Sequence, residues 1–200
     1  MAGSLPGIIT LEEVRRTLVA HRPRRERPAG ARRAAVALIL VPGPDGLEAL
    51  FIRRAVRVGD PWSGQIALPG GRHDPVDIDL EATAIRETLE ELAVDLVGAE
   101  RLGVLDDIRP RTQLLPPVLV RPFIFALPNR PHLRPSAEVQ SAFWVTLPRL
   151  LLPGTQQDVT LPVPGGDRTF PAYVMGGDVI WGMTERILSS FLAKIGHDNP

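Results

Sequence analysis

The stretch from Gln65 to Leu96 most constrains what this chain can fold into, because it sets a glycine pair between a short apolar run and an amphipathic helical pattern. Gln65-Ile66-Ala67-Leu68 reads as a strand, and Gly70-Gly71 after Pro69 let the backbone turn where a side chain would obstruct it. Arg72 to Asp79 is a polar loop with one proline, and Asp79 is placed to N-cap the helix that follows. At about 100° per residue, Ala82, Ile85, Leu89, Leu92 and Leu96 form one stripe, with Glu87, Glu90 and Glu91 expected opposite. Like charges at these spacings repel by roughly 0.2–0.5 kcal/mol per pair. Arg86 reaches Glu90 at i+4 but cannot neutralise three acids. The cluster is therefore either a solvated helix face or a site for a hard divalent cation such as Mg²⁺, which takes carboxylate and phosphate oxygens.

The order of strand, glycine pair, acidic loop and Arg86-Glu87-Thr88-Leu89-Glu90-Glu91 resembles the Nudix box of the Nudix hydrolase superfamily. That pattern runs Gly, five residues, Glu, seven residues, Arg-Glu, an aliphatic residue, any residue, Glu-Glu, any residue, Gly. Here Asp77 stands for the first glutamate, eight residues rather than seven separate it from Arg86, Thr88 takes the aliphatic position and Ala93 replaces the closing glycine. A glycine there tolerates a left-handed backbone that alanine resists. Upstream, Leu50 to Ala55 and Gly64 to Gly71 are similar to the signature that precedes the box in coenzyme A pyrophosphatases. Arg54, Ala55, Gly64 and the Pro-Gly-Gly fit, while Ile52, Leu68 and the position of Arg57 depart. Ile180-Trp181-Gly182-Met183-Thr184 resembles a late stretch of the same proteins.

The resemblance implies a Nudix-type α/β/α sandwich with a mixed sheet over residues 34–195, preceded by an N-terminal helix and basic connection at 1–33. It implies Mg²⁺ or Mn²⁺ held by Glu87, Glu90 and Glu91 with the Gly71 carbonyl, and Arg86 orienting the acids. Glu138 is the candidate for a general base on a later loop; a solvated glutamate is the alternative. Arg53, Arg54 and Arg72, with Gly70 and Gly71, are candidates for binding substrate phosphates. The implied reaction is hydrolysis of a nucleoside-diphosphate-linked substrate, coenzyme A or acyl-CoA favoured, to 3′,5′-ADP and (acyl-)4′-phosphopantetheine. ADP-ribose, dinucleotides, nucleoside triphosphates, and a non-catalytic nucleotide sensor stay open as alternatives.

Elsewhere, helical spacing over Ile9–Ala20 with Thr10 as N-cap leads into a basic connection, His21 to Arg33, read as a solvated linker or an anion-attracting rim. Strands are expected at Ala34–Val41, Leu47–Arg53, Arg101–Leu105, Pro117–Leu127 and Phe143–Val145. A hairpin is expected around Pro164-Gly165-Gly166-Asp167-Arg168, and a closing helix over Thr184–Ile195. The 200 residues, 44% hydrophobic, suffice for one sizeable core. Balanced charge, with 23 basic and 23 acidic residues, argues against a nonspecific nucleic-acid binder. The absence of cysteine excludes disulfides, zinc thiolates and cysteine nucleophiles. Neither a signal core nor an apolar run near 18 residues is present, so a cytoplasmic location without membrane partners is expected. The sequence leaves a homodimer open. His21, His73, His132 and His197 lack metal-ligand spacing, and Trp62 and Trp181 read as packing residues.

Overall fold

The computed structural model describes residues 9–26, 30–60, 62–110, 117–163 and 165–196. Helix α1 (Leu11–Ala20) starts after Thr10, whose hydroxyl accepts from the Glu13 N–H while the Glu13 carboxylate accepts from the Thr10 N–H, a reciprocal capping box. Strands β1 (Arg32–Gly43), β2 (Gly46–Arg54), β3 (Ile66–Ala67) and β4 (Gly70–Arg72) lead to helix α2 (Leu80–Leu92). Then come β5 (Glu100–Val104), β6 (Val118–Ala126), β7 (Val139–Thr146) and a short helix α3 (Leu147–Leu150) that the sequence did not signal. Strands β8 (Gln156–Val163), β9 (Gly166–Met175) and β10 (Asp178–Trp181) precede helix α4 (Gly182–Lys194).

Among the described residues the main sheet runs β3-β2-β1-β6-β5, with β4 also paired to β1 and β7 to β2. β1 and β6 are parallel and the other pairs antiparallel, so the sheet is mixed, as expected. β8, β9 and β10 form a second, antiparallel sheet, and the expected hairpin is present, with Val163 opposite Gly166; Pro164 of that turn lies outside the described residues. Alternation along each strand divides the core into two layers. Ala35, Ala37, Ile39, Leu50, Ile52, Phe123 and Phe125 pack with Leu80, Ala84 and Leu92 under α2. Leu38, Leu40, Ala49, Phe51, Ile124 and Ala126 face the other way, toward Val14 and Leu18 of α1 and Leu188 and Phe191 of α4. The result is a sheet with helices on both faces.

Two expectations need correction here. Gly70 and Gly71 are not a sharp turn but a strand, opposite Val36 and Ala35 of β1. Gly70 has φ +145, and a Cβ there would strike the Ala35 carbonyl oxygen and come within 2.6 Å of Val36 Cα. Glycine is required because two backbones approach closely. The described part of the basic connection is not a free linker either. The Arg24 N–H donates to Asp106 Oδ1 at 2.8 Å and the Glu26 N–H to Asp107 Oδ2 at 3.0 Å. Arg25 donates to the Leu105 carbonyl at 2.9 Å, and Arg121 grips the buried Asp107 carboxylate with two bonds of 2.7 and 2.9 Å. Among the described residues, no helix is long and apolar enough to cross a membrane.

Candidate active site

The site is built from α2, the loop before it, β4 and the segment that leads into β7. Asp79 caps α2 by accepting from the Ala82 N–H at 2.8 Å, as expected. The buried face differs from the expected stripe: Leu80, Thr83, Ala84, Thr88, Glu91 and Leu92 are buried, whereas Leu89 is 48% exposed. Thr88 fills its apolar position because its hydroxyl donates to the Ala84 carbonyl at 2.7 Å and leaves no unpaired group. The three glutamates are consequently exposed to different degrees. Glu87 and Glu91 turn toward β4, and Glu90 points outward.

Arg86 organises the acids. Its Nε and Nη2 donate to Asp77 Oδ1 and Oδ2 at 2.9 and 3.0 Å, its Nη1 to Glu90 Oε2 at 3.0 Å, and Nη2 also reaches the Arg72 carbonyl at 3.1 Å and Glu87 Oε1 at 3.0 Å. One guanidinium thus joins the box loop to the helix, a task that suits its planar fork. The Arg86 bonds hold the Asp77 carboxyl well below the usual range, assisted by the Asp74 N–H and Thr83 hydroxyl. Asp77 in turn raises Arg86 above its ordinary value. Aspartate in place of the glutamate of the Nudix pattern therefore still accepts the fork. His73 Nδ1 lies 3.0 Å from the Thr83 hydroxyl and belongs to this loop network.

Glu91 is buried, and its Oε2 accepts from the Gly70 N–H at 2.9 Å. Burial pushes its carboxyl up to about 7; the Gly70 N–H and Arg54 oppose this, while the charges of Glu87 and Glu138 add to it. Burial also raises Glu87, against the pull of Arg86. The Glu87 carboxylate lies against Gly71, where a Cβ would come within 2.5 Å of Oε1. Ala93 ends α2 in the left-handed region, φ 56 and ψ 31, the conformation for which the Nudix pattern uses glycine.

Glu138 is brought to the same place. The Ser136 N–H donates to the Glu91 carbonyl and the Arg134 N–H to the Leu92 carbonyl, both at 2.8 Å, which docks the loop after β6 on the end of α2. The Glu138 carboxylate pairs with Arg57 Nη1 at 3.1 Å, a partner the sequence reading did not assign. Of the arginines expected at substrate, Arg53 pairs with Asp178 of β10 and Arg54 with Asp60 at 2.9 Å. The Arg54 Nε is buried without a partner. Arg72 follows Gly71 in β4, so its side chain leaves from the face opposite Glu87. Asp178 is 125 positions from Arg53, and no local pattern announces such a contact.

Among the described residues, no three His, Cys, Asp or Glu side chains converge as a ready-made metal group. Mg²⁺ does not require one, since one or two carboxylates with waters and substrate phosphates usually suffice. Glu87 and Glu91 fit that demand: two close, poorly solvated carboxylates whose mutual repulsion a cation would relieve.

Comparison with known proteins identifies the family. The NUDIX domain profile matches residues 31–161. The chain is 36% identical over 165 residues to the mitochondrial coenzyme A diphosphatase NUDT8 of Mus musculus, covering 80% of this chain and 75% of that protein. It is 39% identical over 131 residues to an uncharacterized protein of Schizosaccharomyces pombe, covering 62% of this chain but only 40% of that protein's length. A MutT/nudix family protein from Enterococcus faecalis shares the fold, with a TM-score of 0.56 at 19% identity over 94% of this chain and 75% of that one. With the box residues gathered on α2 and β4 and the family profile spanning the sheet around them, this chain belongs to the Nudix family and is a hydrolase of pyrophosphate bonds.

Proposed function

We propose that the chain hydrolyses coenzyme A or its acyl thioesters to 3′,5′-ADP and (acyl-)4′-phosphopantetheine. The observation that carries the substrate is the 36% identity, over most of both chains, to a protein named for coenzyme A diphosphatase activity. The upstream Arg54, Ala55 and Gly64 before Pro-Gly-Gly support the same reading.

The reaction adds one water across a phosphoanhydride P–O bond and releases two phosphate-bearing products. Glu87, Glu91 and the Gly71 carbonyl would hold Mg²⁺ or Mn²⁺, with Glu90 kept near them by Arg86. Such a bound cation neutralises diphosphate charge and lowers the pKa of a water. Glu138 would take that water's proton; the docking of the Ser136 N–H on the Glu91 carbonyl, which brings its segment to the end of α2, supports this. Arg54, whose half-buried side chain pairs with Asp60 through Nη2, is the arginine we assign to a phosphate oxygen. We also place the protein in the cytoplasm, although the mouse relative is named mitochondrial; fractionation checks this.

The test is hydrolysis of coenzyme A, ADP-ribose, NADH and ATP with Mg²⁺ and with Mn²⁺, wild type beside Glu87→Gln, Glu90→Gln and Glu91→Gln. Coenzyme A cleavage that Glu87→Gln and Glu91→Gln abolish supports the proposal. Cleavage of another substrate alone removes the specificity, and nucleotide binding without turnover makes the protein a sensor.

A further inference from the structure

Arg57 has no role in the chemistry so far, yet it holds the carboxylate proposed as the base. Its Nη1 lies 3.1 Å from Glu138 Oε1, with the two side chains 49% and 54% exposed. A free surface pair of this kind would wander, but here both backbones are fixed. The Arg57 N–H donates to Ser63 Oγ at 2.5 Å, and that hydroxyl donates back to the Arg57 carbonyl at 3.0 Å, closing the loop after β2 on itself. At the other end, the Ala55 N–H donates to the Glu138 carbonyl at 2.9 Å. The β2–β7 register also slips between Arg53 and Arg54, just where the two segments leave the sheet, and such a bulge re-aims the side chains that follow it. Two clamped backbones joined by one ion pair therefore set where the Glu138 carboxylate sits relative to Glu87 and Glu91.

We propose that Arg57 is a positioning residue, clamped by Ser63, that fixes the Glu138 carboxylate for proton transfer beside the end of α2, where the Ser136 N–H docks on the Glu91 carbonyl. The inference rests on the reading of Glu138 as general base. Arg57 and Ser63 need not touch substrate. Because both partners are solvated, water screens the pair, and the contribution of Arg57 is geometric rather than a strong stabilisation of charge. A general base contributes about 10²–10⁴-fold, and a misplacement of about 1 Å can cost about 10²-fold, so a wandering Glu138 forfeits part of its effect but not all of it.

The test is a double-mutant cycle on kcat and KM, with the metal saturating, using Arg57→Gln, Arg57→Lys, Glu138→Gln and the combination of Arg57→Gln with Glu138→Gln. Arg57→Gln is expected to lower kcat by about tenfold with KM changed less than about twofold, and Arg57→Lys to recover most of the loss. In the Glu138→Gln background, Arg57→Gln is expected to change kcat by less than about twofold. Independently of turnover, amide exchange at Ala55 and Val139 should rise in Arg57→Gln. A KM effect with kcat intact makes Arg57 a substrate contact and overturns the proposal. Additive losses in the cycle, or unchanged exchange, overturn it too. If Glu138→Gln keeps full kcat while Glu87→Gln and Glu91→Gln are dead, this inference fails and the proposed function stands; a wild type that cleaves no diphosphate sinks both.

Discussion

Gly70 and Gly71 are neighbours in one strand, and the structure assigns them opposite consequences on substitution by alanine. At Gly70 the backbone φ of +145 lies in territory that L side chains rarely adopt, and the new Cβ would meet rigid backbone: the Ala35 carbonyl oxygen and, at 2.6 Å, Val36 Cα. Backbone strain of this kind costs about 1–3 kcal/mol, and forced overpacking a further 1–3, so Gly70→Ala should destabilise by about 2–6 kcal/mol. In a protein of this size each kcal/mol moves Tm by about 2–4 °C, which places the loss at about 4 °C or more. Gly71 has no such backbone constraint. The three atoms nearest its Cβ would all belong to the Glu87 carboxylate, with Oε1 within 2.5 Å, and a glutamate side chain can swing aside. Gly71→Ala should therefore keep Tm within about 2–4 °C of wild type while lowering kcat by about 10²-fold, because Glu87 is displaced from the proposed cation site. Thermal denaturation monitored by circular dichroism in EDTA, alongside turnover at saturating Mg²⁺, separates the two. Equal Tm losses, or a Gly71→Ala protein with full kcat, would refute the placement of Glu87 against β4.

Glu91 predicts a pH-dependent stability. Its carboxyl titrates near 7 in the folded chain against an ordinary 4.5, so charging it opposes folding: the penalty is absent below about 4.5, grows through the interval and is complete above about 7. Without metal, Glu91→Gln should be more stable than wild type at pH 8 by up to about 3 kcal/mol, equal to it at pH 4, and inactive. Urea midpoints in EDTA at the two pH values check this, and a variant less stable at pH 8 contradicts the burial of an ionised Glu91. Ala93→Gly should relieve a left-handed alanine worth about 1–2 kcal/mol, less about 0.5–1 for the greater freedom of an unfolded glycine, a net gain of about 0–1.5 kcal/mol that raises Tm by up to about 6 °C with activity unchanged. A lowered Tm there would mean that the αL end of α2 is wrong.

The amino-acid pattern revealed the local parts of this protein well. Thr10 and Asp79 cap their helices as expected because capping involves residues only three apart, and Arg86 finds Glu90 one turn away for the same reason. Hydrophobicity alone misassigns which side chains of α2 are covered. Leu89 is exposed and Glu91 buried, since Glu91 gains the Gly70 N–H as a partner and helix propensity has no knowledge of β4. Contacts between distant segments were illegible for the same reason: Arg53 with Asp178, Arg57 with Glu138, and the basic connection with Asp106 and Asp107 exist only once the sheets are assembled.

The arrangement separates two tasks that the box sequence runs together. Arg86 and Asp77 fix the scaffold, with a guanidinium satisfied on three sides and a carboxylate held in its charged form. Glu87 and Glu91 differ: Glu91 is buried with the Gly70 N–H as its donor, Glu87 is half-buried beside Arg86, and burial raises both carboxyls. A carboxylate that is fully paired gains little from a cation, whereas one that is desolvated and repelled by its neighbour gains a great deal. The destabilisation expected at Glu91 would be the physical counterpart of the cation affinity proposed for it. Asp77 stands where the Nudix pattern has a glutamate, and it still satisfies the Arg86 fork with both carboxylate oxygens.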